Sequence, residues 1–238
     1  MRLVATSDTH YPPYTLRQNK NLEWVKDWNV EIPDGDVFIH AGDIMRTGYP
    51  REWDGVLEWL SCLPHKHKYY IPGNHDFHMI HYPGPALQEL REIGVTCVGL
   101  PGNDNWVTVK LPNGMKMLGL PFISGNNRWA FNLSEDEIHA YLARVYDSVR
   151  DPVDIVVSHC PVKGMLDETD TRDNAGIHAY SVMLSKSKNP PKHWICGHIH
   201  EAWGVGWSDI YPGTKCYNVS MCNRDYKQVN KPTVIDIK

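Results

Sequence analysis

The sequence predicts an α/β fold of two packed β-sheets with helices outside, and three observations predict it. Short apolar runs, Asp36–Ala41, Lys68–Ile71, Asp154–Ser158 and His193–Cys196, recur as buried strands. Amphipathic helical stretches lie between such runs in each half of the chain. Short hairpin-type strands occupy the middle.

Taken in order, Arg2–Ser7 is a first strand, with Asp8-Thr9-His10 just beyond it. Residues 11–35 form a long connection rich in Pro, Asn and Trp, where Leu22, Trp24, Val25 and Trp28 suggest a short helix. Asp36–Ala41 is the second strand, running into Gly42-Asp43. Pro50-Arg51-Glu52-Trp53 opens a helix whose apolar face is Trp53, Val56, Leu57 and Leu60, and Pro64 stops it. Lys68–Ile71 is a third strand, broken by Pro72-Gly73 and followed by Asn74-His75-Asp76. Pro85–Ile93 reads as helix, ended by Gly94.

Val95–Val98, Trp106–Val109 and Met115–Leu120 are short strands, the last two joined through the turn signal Pro112-Asn113-Gly114. Ser134 with Glu137 three residues later matches a capping box. Ile138, Tyr141, Leu142, Val145 and Val149 make the apolar face of the helix it opens. Asp154–Ser158 ends at His159. Ala179–Ser187 reads as helix, and His193–Cys196 as a strand entering Gly197-His198-Ile199-His200. Cys216–Ser220 and Thr233–Ile237 close the chain. No repeat or linker divides residues 1–238, so one domain is expected.

Composition narrows the function classes. A net charge of −4 argues against a general nucleic-acid coat or a polybasic membrane binder. No run reaches membrane-spanning length, and Met1 leads into a strand without an apolar leader, so a cytoplasmic protein is expected. The six cysteines form no Cys-x-x-Cys pair and read as reduced, buried thiols. Oligomeric state is open, with a homodimer allowed.

Thirteen histidines carry more information, because several cluster with Asp and Asn after apolar runs. Five segments share one design, a strand, a turn and metal-competent side chains: Asp8-Thr9-His10, Gly42-Asp43, Gly73-Asn74-His75-Asp76, Ser158-His159-Cys160 and Gly197-His198-Ile199-His200. Mixed N/O donors without thiolate suit Mn²⁺, Fe or Zn²⁺, with Ni²⁺ or Co²⁺ also compatible. The donors exceed the needs of one ion, which favours two divalent ions about 3.5–4 Å apart. Two cations at that spacing neutralise phosphoryl oxygens and acidify a water between them. Gly42, Gly73 and Gly197 permit the tight turns that release ligands from the strands.

In this order, Asp-x-His, Gly-Asp, Gly-Asn-His-Asp, a strand-end His and Gly-His-x-His resemble the motif set of the calcineurin-like metallophosphoesterases. Ile39–Asp43, Cys196–Glu201, Trp129–Asn132 and Tyr217–Ser220 further resemble the small metallophosphoesterase-domain-containing subgroup. The resemblance implies a four-layer αββα sandwich of two mixed sheets flanked by helices. It implies that Asp8, His10 and His200 bind one metal, that Asp43 bridges, and that Asn74, His159 and His198 complete the second site. By the same resemblance a metal-bridging hydroxide attacks phosphorus. His75 is the acid for the leaving group, and Asp76 orients its imidazole. The implied substrate is a phosphodiester, including cyclic nucleotides such as 2′,3′-cAMP. Alternatives are a phosphomonoesterase, a dinucleoside polyphosphate hydrolase, or a catalytically silent scaffold on the same fold. Asp-Arg-Gly after the second motif and Glu after Asn-His, as in protein phosphatases, are absent; Ile44–Gly48 and Asp76 stand there.

Around this set, Arg46, His78 and Arg128 are expected near the substrate, with His81, Asn126 and Asn127 as further possibilities. His40 is expected to pack within its strand, and His65 and His67 to lie on a solvated face. Trp24, Trp28, Trp53 and Trp59 are expected to serve core and loop packing rather than a base-stacking platform.

Overall fold

Alternation along the strands is what builds two cores from one set of residues. Leu3 and Ala5 belong to one apolar cluster with Val37, Ile39, Ile71, Met117, Ile155, Val157 and Ile195. Their neighbours Val4, Phe38, Tyr70, Leu118, Val156 and Trp194 belong to another, together with the helix residues Trp59, Leu90, Leu142 and Tyr180. A period of two sends successive side chains to opposite faces of a sheet. One cluster is therefore the seam between two sheets, and the other lies under the helices.

The computed structural model describes residues 1–11, 14–18, 24–28, 30–100, 107–125, 128–148, 152–207 and 211–237. Strands β1 (Arg2–Thr6), β4 (Val37–Ala41), β5 (His67–Ile71) and β6 (Val95–Cys97) run parallel, with β15 (Thr233–Asp236) antiparallel beside β1. The order is β15-β1-β4-β5-β6. In the second sheet β8 (Lys116–Leu120), β11 (Ile155–Ser158), β12 (His193–Cys196) and β14 (Lys215–Asn218) are parallel. Antiparallel strands β7 (Thr108–Lys110) and β13 (Gly204–Trp207) form its edges, and β9 (Ile123–Ser124) pairs with β10 (Asn132–Leu133) apart from both sheets. This is a four-layer αββα sandwich of two mixed sheets.

Local signals account for most helix ends. Helix α1 (Pro50–Cys62) starts on Pro50 and buries Trp53, Val56, Trp59 and Leu60. Trp59 meets Phe38 edge-on at 5.9 Å and is almost wholly buried, so its truncation to Ala would cost about 3–5 kcal/mol. The one-turn α2 (His78–His81) has no sequence signal, and α3 (Pro83–Glu92) ends before Gly94 at φ +74°. Helix α4 (Glu135–Ser148) carries the expected capping box: the Ser134 N–H and hydroxyl donate to Glu137 Oε2, and the Glu137 N–H donates to Ser134 Oγ. The Glu135 carboxylate accepts the His178 and Ala179 N–H groups that open α5 (His178–Lys186), joining the two helices.

Three expectations are corrected. Residues 11–35 hold no helix among the described residues. Instead β2 (Tyr14–Gln18) pairs antiparallel with β3 (Trp24–Trp28), because Tyr, Thr, Val and Trp favour an extended ladder over a helix. His65 is buried, packed on Phe38 with Nε2 on the Pro33 carbonyl at 3.0 Å, and is not on a solvated face. All six cysteines are free as expected, yet Cys62, in the last turn of α1, is exposed. Leu22, Trp106, Asn126, Asn127 and Val149 lie outside the described residues. No helix among the described residues is long and apolar enough to cross a membrane.

Candidate metal centre

The parallel strands of both sheets empty their carboxyl ends into one place. Asp8 and His10 follow β1, Asp43 follows β4, Asn74 and His75 follow β5, His159 follows β11, and His198 and His200 follow β12. Asp8, His10, Asp43 and His198 all hold left-handed backbone conformations, with φ between 45° and 66°. Such conformations cost a non-glycine residue of order 1–3 kcal/mol each, and they gather where surrounding structure enforces them for function. Close backbone approach does the rest. A Cβ on Gly42 would strike the His159 ring, and one on Gly73 would strike the Asp43 carboxylate.

The donors form three overlapping groups: Asp8, His10 and His200; His10, Asp43 and His75; Asp43, His159 and His198. Within each group the ligand atoms lie within 4.8 Å of one another. Asp43 Oδ1 faces His159 Nε2 at 3.4 Å, while its Oδ2 faces His10 Nε2 at 3.9 Å and His75 Nε2 at 4.0 Å. Asp8 Oδ1 faces His200 Nε2 at 3.4 Å. Asn74 Oδ1 lies 2.9 Å from His159 Nε2.

Backbone carbonyls orient the imidazoles. His159 Nδ1 lies 3.0 Å from the Ala41 carbonyl, His200 Nδ1 2.9 Å from that of Asn223, and His75 Nδ1 2.6 Å from that of Arg46. A proton on each Nδ1 satisfies the carbonyl and turns Nε2 toward the centre. Asp8 is fixed similarly: its Oδ2 accepts from the Ser7 and Ser220 hydroxyls and the His198 N–H, leaving Oδ1 toward the centre.

This arrangement fits cations. Asp8 Oδ1 is buried and makes no well-aligned hydrogen bond, facing His200 Nε2 at 3.4 Å, and the Nε2 atoms of His10 and His200 sit 3.2 Å apart. A carboxylate oxygen and converging imidazole nitrogens left in this state are suited to an ion that accepts all their lone pairs. The electrostatics agree. Burial pushes His10 and His198 down to about 4, so both imidazoles are neutral. Burial also opposes charge on His159 and His200, but the Asp43 and Asp8 carboxylates outweigh it and hold both up to about 9. Buried Asp8 and Asp43 are in turn kept ionised by the surrounding imidazoles.

A model of the calcineurin-like phosphoesterases matches residues 1–202, spanning all of these candidate donors. The chain belongs to the calcineurin-like phosphoesterase family. It is 31% identical to human metallophosphoesterase domain-containing protein 1, over 99% of this chain and 71% of that protein. It is 25% identical to the Caenorhabditis elegans UPF0046 protein K07C11.7, over 100% of this chain and 75% of that protein. A solved crystal structure at 11% identity superposes with a TM-score of 0.64, covering 91% of this chain and 89% of its own, and supports the fold. This calcineurin-like chain is accordingly a metal-dependent phosphoesterase.

Asp76 takes a different place from the one expected. Its buried carboxylate accepts the backbone N–H groups of Asp43 at 3.0 Å, Met45 at 2.9 Å and Gly73 at 2.7 Å. The partner of the His75 imidazole is the Arg46 carbonyl instead. Asp76 therefore braces the ligand loops. His78 is also placed elsewhere: it stacks on Trp53 at 4.7 Å, and burial lowers its pKa against the pull of the Glu89 and Asp54 carboxylates. Arg46 is exposed, with its guanidinium 5.8 Å from the Tyr226 ring centre. Arg128 is exposed beside Trp129. His40 packs as expected, its Nε2 2.9 Å from Thr9 Oγ1.

Several residues of the centre escaped the sequence reading. Tyr226 sets its ring against His10 at 4.7 Å, His200 at 5.6 Å and His75 at 6.0 Å. Its loop also supplies the Asn223 carbonyl, and Gln228 donates to the Thr9 carbonyl. No local pattern marks this segment. Ser220 had a partial signal in the Tyr217–Ser220 motif.

Proposed function

We propose that this phosphoesterase is a dinuclear phosphodiesterase of small, cyclic-type nucleotides, formed by one domain over residues 1–238. The observation that carries the reading is Asp43: its two oxygens point to different imidazole sets, His159 on one side and His10 with His75 on the other. A carboxylate so placed suits a bridge between two ions. In this reading Asp8, His10 and His200 hold one ion and Asn74, His159 and His198 the other, with Mn²⁺ the favoured metal.

When bound, the ions supply charge for the phosphoryl oxygens and an acidified water. The remaining chemistry belongs to the chain. His75 Nε2 stands 4.0 Å from Asp43 Oδ2. With Nδ1–H committed to the Arg46 carbonyl, the imidazolium form carries a second proton on Nε2, which it would give to the leaving oxygen as it returns to neutral imidazole. In this reading the exposed Arg46, its guanidinium 5.8 Å from the Tyr226 ring centre, meets a phosphate oxygen of the substrate.

The test is a substrate panel on metal-stripped protein with Mn²⁺ returned: p-nitrophenyl phosphate, its bis ester, 2′,3′-cAMP and 3′,5′-cAMP. Diester hydrolysis that depends on added metal and exceeds monoester hydrolysis is expected. Preference for the monoester, or no hydrolysis of any member, overturns the reading.

A further inference from the structure

Two large aromatic rings stand exposed beside the centre, and both touch His75. Trp129, 42% exposed, lies over the His75 imidazole with ring centres 4.4 Å apart and planes tilted by 34°. Tyr226, 44% exposed, is 6.0 Å from the same imidazole and 4.7 Å from His10. Exposed aromatic surface next to a charged centre is a feature of ligand sites, where the ring is covered once substrate arrives. Trp129 is also a wall of a cavity of about 690 Å³ that includes Met79, Phe122, Phe131, Tyr141, Glu137 and Arg144. That volume is in the range of small-molecule sites, and its walls combine aromatic faces with polar groups.

We propose that Trp129 is a specificity-determining residue: its indole, partly exposed and lining this cavity, stacks the nucleobase of the substrate. This rests on the phosphodiesterase reading, in which His75 protonates the leaving oxygen. Of the two rings Trp129 lies nearer His75, 4.4 Å against 6.0 Å for Tyr226, so the substituent on that oxygen emerges beside Trp129. A planar group with polar edges suits the site better than an alkyl chain. Its face meets indole, and its edge groups have Glu137 and Arg144 to meet in the cavity walls. Aromatic stacking tolerates any base, so Trp129 would select for a base without choosing among bases.

Binding tests this independently of turnover. Metal-loaded protein is titrated calorimetrically with AMP and with ribose 5-phosphate, which lacks the base, using wild type, Trp129→Leu and Trp129→Phe. AMP is expected to bind about 10-fold or more tighter than ribose 5-phosphate to wild type. Trp129→Leu should erase most of that difference, and Trp129→Phe should retain much of it. Ribose 5-phosphate affinity should stay within about 2-fold throughout. Equal affinity for the two ligands in wild type, or an unchanged ratio in Trp129→Leu, overturns the proposal. Kinetics on 2′,3′-cAMP and on glycerol 1,2-cyclic phosphate complete the test. A platform raises KM for the nucleotide alone, whereas a mere buttress of His75 lowers kcat on both. A wild type that hydrolyses neither diester sinks the phosphodiesterase reading, while the AMP to ribose 5-phosphate ratio still judges Trp129.

Discussion

Asp76 reaches the centre through Asp43, whose backbone N–H donates to Asp76 Oδ2 at 3.0 Å. The same carboxylate accepts from Met45 and Gly73, so it clamps the exit of β4 to the exit of β5. Burial, together with the charge of Asp43, pushes Asp76 up to about 6, which shows how unfavourable this carboxylate would be without its three donors.

Removing the clamp should therefore cost stability before it costs chemistry. Asp76→Ala leaves three buried N–H groups without acceptors, each worth about 1–3 kcal/mol, so a loss of roughly 3 kcal/mol or more is expected. Urea unfolding would show a lower midpoint, and metal content of the purified variant should fall with it. A variant as stable as wild type but slow in turnover would return Asp76 to a role on the His75 imidazole.

Metal uptake should release protons. In the metal-free protein His159 and His200 are held near 9 by their carboxylates, so at pH 7 both carry a proton that a cation must displace from Nε2. The sign follows: apparent affinity rises with pH up to about 9 and levels above it. Calorimetric titration of Mn²⁺ at pH 7 in buffers of different ionisation enthalpy should report net proton release, diminishing above pH 9. No release at pH 7 would contradict the protonation of these two imidazoles.

The strand ends were legible because each carries its own local signal, an apolar run closed by Gly or by a ligand. Asp8, His10, Asp43, Asn74, His75, His159, His198 and His200 converge since parallel strands of two facing sheets share one open edge. What escaped was whatever a loop brings in from far along the chain. Tyr226 lies beyond the last ligand motif, and its approach to His10 is set by the backbone of 221–230, which no periodicity encodes. Asp76 escaped for a different reason. Adjacency to His75 suggested a side-chain pair, but the turn at Gly73–Asp76 folds its carboxylate back onto the main chain. The pairing of β2 with β3 was not legible because Trp24, Val25 and Trp28 satisfy helical spacing as well as strand propensity.

The capping box gives a test remote from the centre. Ser134 and Glu137 exchange hydrogen bonds at the start of α4, and Glu135 in the same turn holds the start of α5. Ser134→Ala should cost about 1 kcal/mol. At this chain length that is a Tm lowered by about 2–4 °C, with metal content unchanged. A drop in metal content in this variant would mean that α4 is coupled to the centre.

Asp43 separates a bridged pair of ions from two independent sites. Its oxygens diverge, with Oδ1 at 3.4 Å from His159 and Oδ2 at 3.9 Å from His10, so one substitution disturbs both donor sets. His10 belongs to the group of Asp8 and His200 and to that of Asp43 and His75, but not to the His159–His198 group. Asp43→Asn should thus lower bound metal toward zero per chain, and His10→Ala toward one, as read by elemental analysis after equilibration with Mn²⁺. Asp43→Asn keeps the shape of the side chain and an oxygen for the His75 N–H, which Asp43 Oδ1 accepts at 2.8 Å. Its deficit would therefore report the lost charge more than a collapsed loop. Equal losses in the two variants would mean that Asp43 serves a single ion, and the dinuclear reading would go with it.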